Sequence, residues 1–115
     1  MTDKLTPRQR LAHKLRDGKY RAKQLGAPYE LVTIAQAEAA GLLAETKCYY
    51  CNCPLRDDFP ASYTLEHKEP LKLGGSHKLD NLAKACTGCN EDKHIQTELE
   101  YMARLESRLF GGRAA

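Results

Sequence analysis

Residues 65–90 read LEHKEPLKLGGSHKLDNLAKACTGCN, and the fold follows from how this stretch is parsed. A carboxylate stands directly before a histidine, Glu66-His67. Pro70, a Gly74-Gly75 turn and Asn81 follow, and the stretch closes on Cys86-x-x-Cys89-Asn90. A second pair, Cys48 and Cys51, lies upstream. Four thiols can close a structural metal site, and a histidine with oxygen donors can build a hydrolytic one.

The thiols are the clearer signal. Tetrahedral zinc takes four donors at about 2.3 Å, usually from two short-range pairs. Each Cys-x-x-Cys lets two thiolates converge from one turn, which favours zinc over disulfides in a reducing compartment. No βαβ pattern surrounds either pair, so a thioredoxin-like redox pair is disfavoured. Cys53 is left over and could replace Cys51. Cys51 is preferred because Asn52 then takes the left-handed position after the knuckle. A closed site of four cysteines has no open coordination position and is structural, worth on the order of 10 kcal/mol to folding.

Working outward, Ala61–Glu66 is rich in strand formers, with Tyr63 and Leu65 on one face. Pro70 ends the ladder, and Asn81–Ala85 is the partner strand. Asp57, Asp58 and Pro60 make a loop before them. Thr87 is a candidate cap for a last helix over about 88–110, in which Ile95, Leu99, Met102, Leu105 and Leu109 recur at helical spacing. Gly111-Gly112 stop it. The order is strand, loop, strand, helix, a small α+β arrangement with thiols bracketing the first strand and opening the helix.

Upstream, Thr6 caps and Pro7 opens a helix over 7–25 that Gly26-Ala27-Pro28 ends. Its apolar stripe is thin (Leu11, Leu15, Leu25), and Gly18 weakens it by about 1 kcal/mol. Thr33-Ile34-Ala35-Gln36 fits a capping box for a helix over 34–44, with Gly41 a minor flaw. Residues 1–25 hold eight Lys or Arg against two acids, so the remainder is net −3 within a total of +3. A basic arm (1–26) on a mildly acidic body (27–115) is the footprint of a polyanion binder. Arg8, Arg10, Lys14, Arg16, Arg21 and Lys23 are its candidate phosphate contacts.

At 115 residues one domain with an appended arm is expected, small enough for a metal staple to matter. No apolar run spans a bilayer and the N-terminus has no secretory pattern, so a cytoplasmic protein is expected.

Glu66-His67, Pro70, Gly74-Gly75, Asn81-Leu82, Cys86, Cys89, Asn90 and Lys93, with Cys48 and Cys51, resemble the HNH endonucleases in their zinc-stapled form. The resemblance spans residues 48–94. It implies the ββα-metal (His-Me finger) fold and metal-dependent hydrolysis of DNA. Glu66 and Asn90 would hold Mg²⁺ or Mn²⁺, His67 would act as general base, and Asn81 would hold the loop and orient His67. Glu66 stands where the family often has Asp, and Asn90 where it often has His. Small phage-encoded members are similar in size and carry a similar arm. That likeness implies a host cytoplasm and work beside a terminase or another nucleic-acid-processing protein; a monomer is expected.

The residues agree with this reading. An unperturbed His67 accepts a proton at neutral pH, worth roughly 10²–10⁴ in rate. Oxygen donors suit Mg²⁺ or Mn²⁺. On a helix His94 shares a face with Asn90, which leaves it open as ligand, phosphate contact or neither. Lys93 is read as a phosphate contact or solvated charge, and His77 as an exposed loop residue that could face DNA. Tyr49, Tyr50, Tyr63 and Tyr101 are read as packing residues. Two other functions use the same features. One is a zinc-stapled DNA-binding module without catalysis, and the other is a nuclease of this fold acting on RNA.

Overall fold

Thr6 and Pro7 open the first helix as the sequence predicts, and the caps explain why. In the computed structural model, which describes residues 5–56 and 63–110 (109 and 110 without side chains), α1 runs Pro7–Leu25. The Thr6 hydroxyl accepts from the Gln9 N–H, and the Gln9 side chain accepts from the Thr6 N–H, a reciprocal capping box. Gly26, at φ 72°, ends the helix in the left-handed conformation.

The thin stripe of α1 is enough to pack it. Leu11 and Leu15 join Val32, Ala37, Tyr63 and Leu82 in the main core, and Ala22 packs with Ala27 and Leu71 in a second patch. Each buried leucine contributes roughly 1.5–3 kcal/mol. The segment read as an arm is thus a wall of the folded body in this structure.

The Thr33–Gln36 capping box starts α2 (Ile34–Ala39) as expected. The helix stops five residues short of the predicted end. Gly41, at φ 86°, turns the chain so that Leu42 N–H donates to the Ala37 carbonyl. The glycine read as a flaw is the stop signal.

β1 (Thr64–His67) and β2 (Leu82–Ala85) pair antiparallel, with Thr64 opposite Ala85 and His67 opposite Leu82. Between them the chain makes two 3₁₀ turns, Leu71–Leu73 and Leu79–Asn81. Asn81 ties this loop shut. Its Oδ1 accepts from the Glu69 N–H at 2.9 Å, and its Nδ2 donates to the carbonyls of Glu69 and Ser76 at 3.1 and 2.7 Å. Gly75 is obligatory, since a Cβ there would lie 1.9 Å from the Glu69 carbonyl oxygen.

The last helix is two helices. α3 spans Thr87–Lys93 and α4 spans Glu98–Phe110. Cys86, not Thr87, caps α3, its thiol accepting from the Cys89 N–H at 3.3 Å. His94 leaves the helix at φ 49°. Thr97 and Glu100 then form a capping box for α4. Ile95 and Leu99, read as core positions, are 47% and 75% exposed. The apolar face of α4 instead begins at Tyr101, which packs with Met102 and Leu105 against the thiols. No helix among the described residues is long and apolar enough to cross a membrane. The expected acidic loop at Asp57, Asp58 and Pro60, the strand start at 61–62, the Leu109 side chain and the Gly111-Gly112 stop lie outside the described residues.

Candidate active site and metal centre

The sequence places Cys48 and Cys51 in one tight turn and Cys86 and Cys89 across the start of α3. The fold brings the four sulfurs within 4.8 Å of one another. Cys51 Sγ and Cys86 Sγ are 3.8 Å apart. A tetrahedron with 2.3 Å bonds has edges of about 3.8 Å, so sulfurs gathered this closely can converge on one zinc ion. Asn52 takes φ 64° after the knuckle, and Tyr50 N–H donates to Cys48 Sγ at 3.4 Å. The Cys89 N–H donates to Cys86 Sγ in the same way, at 3.3 Å. Cys53 is partly buried beside the cluster but outside the four.

β1 sends its last two side chains in different directions, as strand geometry requires. Glu66 turns toward the knuckle and α3. Its Oε2 accepts from the Tyr50 hydroxyl at 2.6 Å, and its Oε1 meets Lys93 Nζ at 3.2 Å. Lys93 is 0% exposed and also reaches the His67 carbonyl at 3.5 Å. It is neither a phosphate contact nor a solvated charge but half of a buried ion pair. Tyr50, read as packing, hydrogen-bonds the Glu66 carboxylate as well as standing edge-on to Tyr101. Burial raises the Glu66 carboxyl, while Tyr50 and Lys93 pull it down. Removing one partner of such a pair strands the other charge. Lys93→Met is therefore expected to cost about 3–5 kcal/mol, read from urea midpoints, and Glu66→Gln added to it should restore part of the loss. A single-mutant loss below about 1 kcal/mol would mean the pair is solvated.

His67 turns the other way, toward α1. Its Nε2 lies 3.0 Å from Nδ1 of His77. His77 is 1% exposed, so its expected place on the surface facing DNA is wrong. Backbone bonds hold it inside: His77 N–H donates to Pro28 O and Glu30 N–H to His77 O, at 2.9 and 3.0 Å. Asn81, expected to orient His67, braces the loop and bonds the backbone of Lys68. The His67 ring is held by His77 instead.

Burial first, then His77, Arg21 and Lys93, lower His67 to about 4. Burial and Lys19 lower His77, against the pull of the Leu15 carbonyl. The consequence for stability has a definite sign. In the unfolded chain His67 takes a proton near pH 6.5, whereas in the fold it stays neutral to about 4. The unfolded state binds more protons in that window, so stability is full above about 6.5 and is lost as pH falls toward 4. Between about pH 7.5 and 5.5 the loss from this ring is about 1.3 kcal/mol. Denaturant midpoints of wild type and His67→Gln should diverge by that much, and parallel curves would refute it.

Glu66, His67 and Asn90 line one cleft of about 260 Å³, together with Arg21, Lys72 and His94. A wider depression of about 440 Å³ beside Lys68, Glu69 and Asp80 is shallower and has no histidine. His94, outside the helix at its left-handed turn, still borders the cleft. Of the basic residues on α1, Arg21 alone lines it among the described residues. Arg8 pairs with Glu38 at 3.4 Å, Arg16 lies 3.9 Å from Asp17, and Lys14 sits 5.0 Å above the Tyr63 ring.

Residues 48–96 match the family model described as HNH endonuclease. The small α+β architecture and the four close cysteines are consistent with that family. α1 lies outside the matched residues. No curated protein matches the chain.

Proposed function

We propose that the chain is a metal-dependent endonuclease that hydrolyses DNA. The matched family indicates a nuclease or nucleic-acid-binding role. The observation that carries the finer reading is the one cleft that Glu66 and His67 of β1 and Asn90 of α3 line together with Arg21 and Lys72.

In this reading His67 takes the proton of the attacking water. A ring at about 4 is neutral at working pH but a weak base. An incoming phosphodiester is an anion and moves it upward. Arg21 and Lys72 hold that phosphate by charge, and the rest of the basic face of α1, including Arg10 and Lys23, adds salt-dependent affinity along the backbone. Glu66 and Asn90 offer hard oxygen donors, which fit Mg²⁺ or Mn²⁺. Tyr50 and Lys93 already contact the Glu66 oxygens, but each oxygen keeps further lone-pair capacity. When bound there, such an ion would supply positive charge to the phosphate and the leaving oxygen. The four-cysteine cluster would hold zinc as a staple with no catalytic part.

The Lys93–Glu66 ion pair favours a second reading. An ammonium already neutralises the carboxylate, as a zinc-stapled DNA-binding module would allow. Cleavage of supercoiled plasmid by zinc-loaded wild type and His67→Ala, with and without Mg²⁺ or Mn²⁺, separates the two. An RNA substrate run in parallel tests the nucleic acid.

A further inference from the structure

We infer that His77 is a positioning residue for His67, taking the His67 Nε2–H at its own Nδ1 so that the His67 lone pair is kept on Nδ1. This rests on His67 being the general base of the proposed nuclease. A neutral imidazole has one N–H and one lone pair, and the partner of one nitrogen decides which atom carries which. Here the partner of Nε2 is His77 Nδ1, at 3.0 Å with both rings buried. The Leu15 carbonyl acts on the His77 ring as an acceptor. Among the described residues His77 Nε2 has no hydrogen bond of full geometry. Since Nδ1 faces His67, we place the N–H that the carbonyl favours on Nε2, which leaves Nδ1 to accept.

The pair is held from three sides. The His77 backbone is fixed by Pro28 and Glu30. Asn81 closes the loop that carries it, through Ser76 O. α1 covers the rings at Gly18, where a Cβ would stand 2.8 Å from His77 Cε1, 2.9 Å from His77 Nδ1 and 3.5 Å from His67 Cε1. Only glycine leaves that room. The residue that weakens the helix is the one that lets the two rings meet.

The test has two readouts. Long-range ¹H–¹⁵N spectra of the zinc-loaded protein report the tautomer of each histidine without any cleavage. His67 is expected as the Nε2–H form in wild type. His77→Phe, which fills the space without an acceptor, should turn His67 into a mixture and lower kcat on the order of 10–100-fold with KM unchanged, the usual loss when a ring's orienting partner is removed. His77→Asn, whose Oδ1 falls near the place of Nδ1, should keep kcat within about threefold of wild type, since the acceptor that fixes the tautomer remains. Gly18→Ala displaces the ring without changing it, and should lower kcat in the same way. That variant and the wild-type spectrum decide the matter if His77→Phe does not fold. An Nδ1–H form of His67 in wild type, or wild-type kcat in both Gly18→Ala and His77→Phe, overturns the inference. Absence of cleavage by wild type defeats the nuclease reading instead, while the spectra still decide the hydrogen bond.

Discussion

Removing the zinc proposed for the four thiols is expected to unfold the protein. The second core contains Tyr50, Ala85, Tyr101 and the thiols of Cys48 and Cys89, with Cys86, Met102 and Leu105 at its edge. It has few apolar side chains to lose, and its centre is sulfur. Without a metal, four sulfurs within 4.8 Å either repel as thiolates or bury thiols with poor partners. The connections amplify this. Cys86 ends β2 and caps α3, so the helix carrying Asn90 and Lys93 starts at a ligand. A structural zinc contributes on the order of 10 kcal/mol. A domain's whole stability is about 5–15 kcal/mol, so the loss is comparable to the total. Cys86→Ser, or chelation of wild type, should abolish the folded far-ultraviolet circular dichroism and release one zinc per chain. Cys53→Ser should keep both fold and zinc. Zinc retained in Cys51→Ser and lost in Cys53→Ser would exchange their roles. A metal-free protein with a native spectrum would remove zinc from the account of the fold.

Elements with local signals were legible in the sequence. Thr6-Pro7 and Gly26 bound α1, and Thr33–Gln36 starts α2, because a cap is a contact between residues three apart. The paired Cys-x-x-Cys pointed to the thiol cluster for the same reason. The break between α3 and α4 was also written locally, in the Thr97–Glu100 capping box. There, an apolar periodicity through Ile95 and Leu99 pointed to one helix, and neither residue is buried. The partners inside the cleft were not legible. Lys93 meets a carboxylate 27 residues away, and His77 is covered by α1 at Gly18 and held by Pro28 and Glu30. A lysine and a histidine in polar stretches look solvated until the fold covers them. Gly18 looked like a defect because its reason for being glycine sits on another element.

The largest effect on activity should come from His67→Ala. Losing a general base costs roughly 10²–10⁴ in rate. The ring is buried against His77 rather than part of the main core, so the zinc cluster and the α1 packing around Leu11 and Leu15 should survive its removal. Zinc content and thermal midpoint therefore serve as controls for folding. Both proteins would be zinc-loaded and dialysed free of other divalent ions, then given Mg²⁺ or Mn²⁺ with supercoiled plasmid. Wild type should cut only with the added ion, and His67→Ala should fall by that factor while binding the plasmid as tightly. Nicked product would indicate one strand cut per encounter, and linear product two. Glu66→Gln should also lose cleavage, but it strands Lys93 and so loses stability as well, which separates the two roles. Equal cleavage by wild type and His67→Ala would place the base elsewhere. Tight binding with no cleavage under either ion would leave the Lys93–Glu66 pair as the natural state of the carboxylate, and the chain as a zinc-stapled binding module.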